Sequence, residues 1–310
     1  MAVIEVRDLV KSYDGRPVVD GVSLTVDAGE VFAIVGTNGA GKTTTVESIL
    51  GLRRPDAGTI RVLGMDPQRD RAAVALRVGA QLQESRLPAK ITVTEALELY
   101  ASFYPDPLDG EELLADLGLT EKADGRYAQL SGGQRQRVNV ALALIGNPEI
   151  AVLDELTTGL DPQARRETWW LVERIRDRGV TVVLVTHFME EAERLADRVA
   201  VFDAGRIIAT GTPTSLTTGA SAEQRLRFRP SQPVDDAVLR AVDDVSDVAR
   251  HGDRVEVLGT GGVIQAVLAA LTRDGVVAEE LRVDQPSLDD AFVALTGRPS
   301  HADQLQRSTQ

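Results

Sequence analysis

Four short stretches of the sequence combine side chains suited to binding an anion, holding a metal or moving a proton. In Gly36-Thr37-Asn38-Gly39-Ala40-Gly41-Lys42-Thr43-Thr44 the glycines at 36, 39 and 41 let the backbone curl with its N–H groups turned inward. A helix starting directly behind adds its partial positive charge, so the loop, with Asn38, Ala40 and Thr44 in it, cradles a polyphosphate. Lys42 reaches the β- and γ-phosphates as a point charge, and the Thr43 hydroxyl is placed to ligate Mg²⁺. The second stretch, Leu130-Ser131-Gly132-Gly133-Gln134, offers another set of free N–H groups and a hydroxyl at a helix start, the composition of an anion cap and equally of an ordinary serine N-cap. The third is Asp154-Glu155 at the end of the apolar run Ile150 to Leu153. Successive strand side chains point to opposite sides, so these carboxylates do different work: Asp154 suits the Mg²⁺ shell, Glu155 the orientation or deprotonation of an attacking water. The fourth is His187, closing the run Val180 to Thr186 and placed to touch a γ-phosphate if its strand neighbours the acid-bearing one. One phosphate tail needs only one cap, so the second either serves a nucleotide held by another copy of the chain or is an ordinary serine N-cap, the reading a Ser-Gly-Gly helix start favours on its own.

The elements that must position these groups follow from periodicity. Val31 to Val35 reads as a buried strand feeding the glycine loop, with a helix through Val46, Ile49 and Leu50 behind it. Upstream, Val3 to Leu9 and Val18 to Val26 alternate around the turns Asp14-Gly15 and Asp27-Ala28-Gly29, an antiparallel start with Tyr13 just before the first turn. Thr92-Val93-Thr94-Glu95 is a capping box opening a helix to Tyr104, and a second helix from Glu111 to Leu117 completes a mostly helical insert over about 84–145. Pro162 stands at the first turn of a helix running to Arg178, within which Trp169 and Trp170 are expected to be one packed and one partly exposed ring. Arg198 to Phe202 and Ile207 to Thr210 make a closing hairpin.

Composition sets bounds. The chain has 310 residues, enough for one large α/β domain and a smaller one, with 34 Lys+Arg against 47 Asp+Glu and a net charge of −13. That balance argues against a nucleic-acid backbone as partner, because phosphate contacts need a basic face. Cysteine is absent, which excludes disulfides and thiolate metal sites. Glu5 and Arg7 interrupt any apolar core near Met1, so a secretory signal is not expected there, and no apolar run approaches the roughly 18 residues that span a bilayer.

With the phosphate loop, Leu-Ser-Gly-Gly-Gln, Asp154-Glu155 and His187 in this order, residues 2 to 215 resemble the nucleotide-binding subunit of ABC transporters. The resemblance implies a cassette fold: a mixed core sheet with an antiparallel β subdomain and a helical subdomain. By the same resemblance Tyr13 looks like the aromatic stacking on adenine, Gln83, favoured over Gln81, like the glutamine that contacts Mg²⁺ and senses the membrane partner, and Asp161 like part of a dimer-contacting turn. Ser131 to Gln134 look like the signature and His187 like the switch histidine. It further implies ATP and Mg²⁺, a head-to-tail dimer in which each signature closes on the other subunit's ATP, and a separate polytopic permease. The expected location is the cytoplasmic face of the cell membrane. Thr37 and Leu156 replace prolines common at those positions; neither position supplies a ligand, so altered turnover at most is expected.

Beyond Thr212-Pro213 the texture changes to alternating segments, Glu223 to Phe228, Val255 to Leu258 and Val276 to Val283, around an amphipathic helix from Gly262 to Leu271. A small α+β accessory domain over 216–298 is expected, followed by a polar, disordered tail over 299–310. The segment Pro286 to Gly297 is similar to the ending of cassettes that serve ABC-2-type exporters, including the daunorubicin-resistance type. An ATPase that powers export of drugs, antibiotics or lipid-like compounds is therefore the leading expectation. A soluble cassette ATPase of translation or DNA maintenance is the alternative, disfavoured by the single cassette, the missing heptad run and the negative charge. A regulatory ATP-binding module without hydrolysis is disfavoured by the intact acids and histidine.

Overall fold

The alternating N-terminal stretch pairs as a hairpin, β1 (Ala2–Tyr13) with β2 (Arg16–Asp27), in the computed structural model, which describes residues 1–82, 87–219, 224–284 and 287–297. Both strands run longer than simple alternation indicates. Asp8 adopts a left-handed φ of 48° and the ladder shifts register between Val6 and Leu9, so a bulge carries the strand past the break in pattern. After β3 (Val31–Gly36) and α1 (Lys42–Ile49), the strand β4 (Ala57–Val62) returns to the other edge of β1, giving the sheet order β2-β1-β4.

The short helix α2 (Arg71–Ala75) leads to β5 (Val78–Gln81), and the insert follows: α3 (Val93–Ala101), α4 (Gly110–Asp116) and α5 (Gly132–Leu144). The capping box is formed, with Thr92 accepting from the Glu95 N–H and Glu95 reaching back to the Thr92 N–H. Next come β6 (Ile150–Asp154), α6 (Pro162–Asp177), β7 (Thr181–Thr186), α7 (Met189–Leu195), β8 (Arg198–Asp203) and β9 (Arg206–Gly211). These complete a six-stranded sheet of order β5-β6-β7-β3-β8-β9, parallel throughout except for the closing β8–β9 hairpin. Its central strands are buried on both faces, which is why they read as unbroken apolar runs. Ala151, Leu153, Val182 and Leu184 join the core shared with the helical insert and α6, while Val152, Val183 and Val185 join the core shared with α1 and the antiparallel sheet. Within α6, Trp169 is buried and Trp170 is 54 % exposed.

The chain divides into two compact units, Met1–Pro213 and Thr214–Gln310, with α8 (Pro213–Gly219) at the division. The second unit contains β10 (Gln224–Pro230), α9 (Asp236–Arg240), β11 (Val245–His251), β12 (Arg254–Gly259), α10 (Val263–Arg273), β13 (Ala278–Asp284) and α11 (Leu288–Thr296). The order β11-β12-β10-β13, all antiparallel, makes β10 to β13 a βαββαβ sandwich with Leu226, Phe228, Val255, Val257, Val263 and Val267 in its core. The periodicity reading omits α9 and β11. In β11 only Val248 is buried, so it carries no alternation to read. The expected tail over 299–310 lies outside the described residues.

Candidate nucleotide site

The phosphate loop sits where β3 meets α1, and its glycines are required by contact as well as by conformation. Gly36 has φ +150°, and a Cβ there would lie 2.3 Å from the Phe202 carbonyl oxygen on the paired strand β8. Gly41, at φ +96°, would bring a Cβ within 2.5 Å of the Val18 carbonyl oxygen. The β8–β9 turn braces the loop from behind: Gly205 N–H donates to the Ala40 carbonyl at 3.1 Å, and Asp20 N–H donates to the Gly205 carbonyl at 2.9 Å. Lys42 is buried and its ammonium donates to the carbonyls of Gly36 (2.8 Å) and Thr37 (3.0 Å). Burial lowers its pKa, against the opposing pull of the Glu155 and Asp154 charges.

Strand order delivers the rest. Since β6, β7 and β3 are consecutive neighbours with parallel registers, their C-terminal ends emerge along one edge of the sheet, where open α/β sheets take ligands. Asp154 ends β6 on the side of Val152, facing the core that contains α1, and its residue is 1 % exposed. Among the described residues, neither of its carboxyl oxygens has a hydrogen-bond partner. Burial, followed by the Glu155 charge, pushes its pKa up to about 6. Glu155 turns the chain out of the strand with a left-handed φ of 51°, a conformation that costs a non-glycine residue roughly 1 kcal/mol or more and that clusters at functional sites. Its Oε1 lies 3.1 Å from His187 Nδ1, and that hydrogen bond, ahead of all other causes, holds the Glu155 carboxyl below its usual range. The register explains the meeting: Asp154 pairs with Val185, so Glu155 comes beside Thr186 and within reach of His187 across 32 residues of sequence.

A cleft of about 220 Å³ over the loop is lined by Val18, Asn38, Gly39, Gly41, Lys42, Thr43, Thr44 and Glu155. Val18 is the lining residue that sequence reasoning misses; nothing in its strand distinguishes it, and only the fold brings β2 over the loop. A larger cleft of about 620 Å³, in the insert between α3 and α4, contains none of the candidate residues. Tyr13 ends β1 as a residue 37 % exposed, its ring flanked by Lys11 Nζ and the Arg53 guanidinium, each 5.6 Å from the ring centre. It does not line the 220 Å³ cleft.

Ser131 to Gln134 open α5 as a reciprocal capping box, Ser131 Oγ accepting from Gln134 N–H and Gln134 Oε1 from Ser131 N–H. These residues also lie outside that cleft's lining, and Gly133 faces α6, where an added Cβ would meet the Ala164 Cβ at 3.3 Å. Asp161 caps α6, accepting from the N–H groups of Gln163 and Ala164, bonds that keep its carboxyl below the usual range. Leu156, one of the two departures from the expected pattern, is buried in the core shared with the insert. Gln83 lies outside the described residues; its rejected neighbour Gln81 ends β5, buried, donating from its amide to the Leu82 carbonyl at 3.1 Å.

Comparison with known proteins places the chain in a family. The ABC transporter family pattern matches residues 19–158. The Nod factor export ATP-binding protein I of Rhizobium meliloti is 40 % identical over 304 residues, covering 95 % of this chain and 88 % of that protein. The daunorubicin/doxorubicin resistance ATP-binding protein DrrA of Streptomyces peucetius is 37 % identical over 310 residues, covering 96 % of this chain and 93 % of that protein. A bacterial ABC transporter cassette solved as a dimer superimposes with a TM-score of 0.59 at 28 % identity, over 67 % of this chain and 98 % of the cassette. The chain belongs to the ABC transporter family as its ATP-binding, ATP-hydrolysing cassette.

Proposed function

We propose that this cassette closes head-to-tail on a second copy around two ATP molecules and drives a separate membrane permease that exports a drug-like or lipid-like compound. The observation that carries the hydrolytic part is the Glu155–His187 contact at the rim of the phosphate loop. A carboxylate kept ionised there can hold and polarise a water, and His187 fixes its orientation. The loop N–H groups and Lys42 bind and orient the triphosphate, exchanging the ammonium's bonds to Gly36 and Thr37 for phosphate oxygens. Asp154 and Thr43 fit a hard divalent cation such as Mg²⁺: Asp154 presents two buried carboxyl oxygens with no donor among the described residues, and Thr43 an exposed hydroxyl in the first turn of α1. The sequence resemblance adds Gln83 to that pair. Held there by Asp154 and Thr43, such a cation would supply positive charge that offsets the negative charge developing on the phosphate. The Ser131–Gln134 helix tip, outside the lining of its own chain's cleft, is assigned to the partner's ATP, with Asp161 in the contact turn and Tyr13 beneath the adenine.

Export is supported by the kinship with export and resistance ATP-binding proteins over 95 % or more of this chain. No helix among the described residues is long and apolar enough to cross a membrane, so on this reading the translocation path belongs to another subunit and the cassette works against the cytoplasmic face. Replacing Glu155 by Gln is the direct test. ATP binding and ATP-dependent dimerisation are expected to persist, with kcat lowered by about 10²–10⁴-fold; unchanged turnover rejects the role given to Glu155.

A further inference from the structure

Glu191 is a fully buried acid that the assignments above leave unused. It lies on α7 four residues past His187, and its residue is 0 % exposed. Its carboxyl faces the hydroxyls of Thr157 and Thr186, the indole N–H of Trp169 and, further off, the Arg165 guanidinium. None of these approaches reaches full hydrogen-bond geometry. Among the described residues both Glu191 oxygens, Thr157 Oγ1, Trp169 Nε1 and Arg165 Nε are buried without a formed bond. Burial raises the Glu191 pKa, and the surrounding donors oppose it in part. A neutral carboxyl has both a proton to give and an oxygen to receive one, so it can serve a threonine oxygen and an indole N–H together.

The origin of these groups gives the cluster its meaning. Thr157 is two residues beyond Glu155, and Thr186 immediately precedes His187. Thr186 Oγ1 accepts the Phe188 N–H at 3.0 Å, shaping the backbone that presents the histidine. Arg165 and Trp169 are one turn apart on α6, whose N-cap is Asp161. The Arg165 guanidinium lies 4.7 Å over the Phe188 ring, and that ring is 4.1 Å from the His187 ring. The loop behind the acid, the strand end before the histidine and the helix carrying the contact turn therefore converge on one side chain. An unsatisfied buried polar group is costly, which makes a small rearrangement that completes these bonds favourable.

We propose that Glu191 is a positioning residue whose carboxyl, by closing its approaches to Thr157 and Thr186 into hydrogen bonds, ties the segment following Glu155 to the strand end preceding His187 and keeps the Glu155–His187 pair at its working separation. This rests on the reading of Glu155 as the residue that orients water. None of the cluster lines the phosphate-loop cleft, so the effect falls on turnover and leaves ATP affinity alone.

The test uses the full-length chain and four variants: Glu191→Ala, Glu191→Gln, Thr157→Val and Glu155→Gln. Steady-state ATPase kinetics, ATP binding without Mg²⁺ and thermal melting are measured on each. Glu191→Ala is expected to lower kcat by about tenfold or more, as sub-ångström to ångström displacement of a reacting group does. Its KM and metal-free ATP affinity should stay within about twofold of wild type. Glu191→Gln, which keeps one donor and one acceptor, should recover most of that loss, and Thr157→Val should reproduce part of it. The proposal is overturned if Glu191→Ala folds and turns over normally, or if Glu191→Gln is as slow as Glu191→Ala, since the ionised form would then be what matters. Should Glu191→Ala fail to fold, Thr157→Val decides: normal kcat in that variant overturns the proposal. If Glu155→Gln hydrolyses ATP at the wild-type rate, the site reading falls and this inference with it; an inactive Glu155→Gln beside a normal Glu191→Ala removes the inference alone.

Discussion

Substitution of Asp154 by Asn is predicted to make the nucleotide-free protein more stable while depriving it of Mg²⁺-dependent hydrolysis. Asp154 is 1 % exposed, both carboxyl oxygens lack a hydrogen-bond partner among the described residues, and its pKa rises from 3.8 to about 6. A raised carboxyl pKa means the folded state holds the proton that the unfolded state has released. Stability therefore falls as pH climbs from about 4 through about 6, and the whole penalty is present above that window. The shift converts to about 3 kcal/mol at pH 8, and to about half of that at pH 5. Asparagine keeps the shape and does not titrate, so it resembles the protonated acid. With about 2–4 °C per kcal/mol for a unit of this size, the variant should melt about 6–12 °C above wild type at pH 8 in EDTA. The gap should narrow steadily as pH is lowered to 5. Addition of MgATP should then close it by stabilising the wild type preferentially. Equal melting temperatures at pH 8, or a gap that ignores pH, would refute the view of Asp154 as an acid buried in wait for a cation.

Two further predictions follow from contacts of the loop and the histidine. Gly36→Ala combines an unfavourable φ with a 2.3 Å approach to the Phe202 carbonyl, whereas Gly39→Ala, at φ +82°, meets nothing within 4 Å. With backbone strain of roughly 1–3 kcal/mol in both and overpacking of roughly 1–3 kcal/mol only in the first, Gly36→Ala should lose at least several degrees more in melting temperature and most of its affinity for a fluorescent ATP analogue. Equal losses in the two variants would contradict the close-approach argument. His187→Ala removes the principal cause holding the Glu155 carboxyl low, so the acidic limb of its kcat–pH profile should move to higher pH. A limb at its wild-type position would show that the 3.1 Å contact does not govern Glu155.

The phosphate loop was legible because its chemistry is local: three glycines, a lysine and a threonine fall within the short stretch Gly36 to Thr43, and the strand before and helix after them follow from local periodicity. The capping box at Thr92 was equally local, needing only residues three apart, as was the serine helix start at Ser131, whose reciprocal box with Gln134 the structure adds. The second unit was legible where apolar alternation marked β10 and β12, and lost at α9 and β11, which bury a single residue each. Local pattern could nominate Asp154, Glu155 and His187 as strand-end residues, but it could not choose which strands lie side by side. That choice depends on how apolar faces from the whole chain are shared between two cores, and it resolves as β6-β7-β3. Only then does Glu155 meet His187, Val18 come over the loop, and Glu191 become enclosed by Thr157, Trp169 and Thr186. A buried acid on a short amphipathic helix looks like any exposed one in sequence, because burial is set by what packs on the helix.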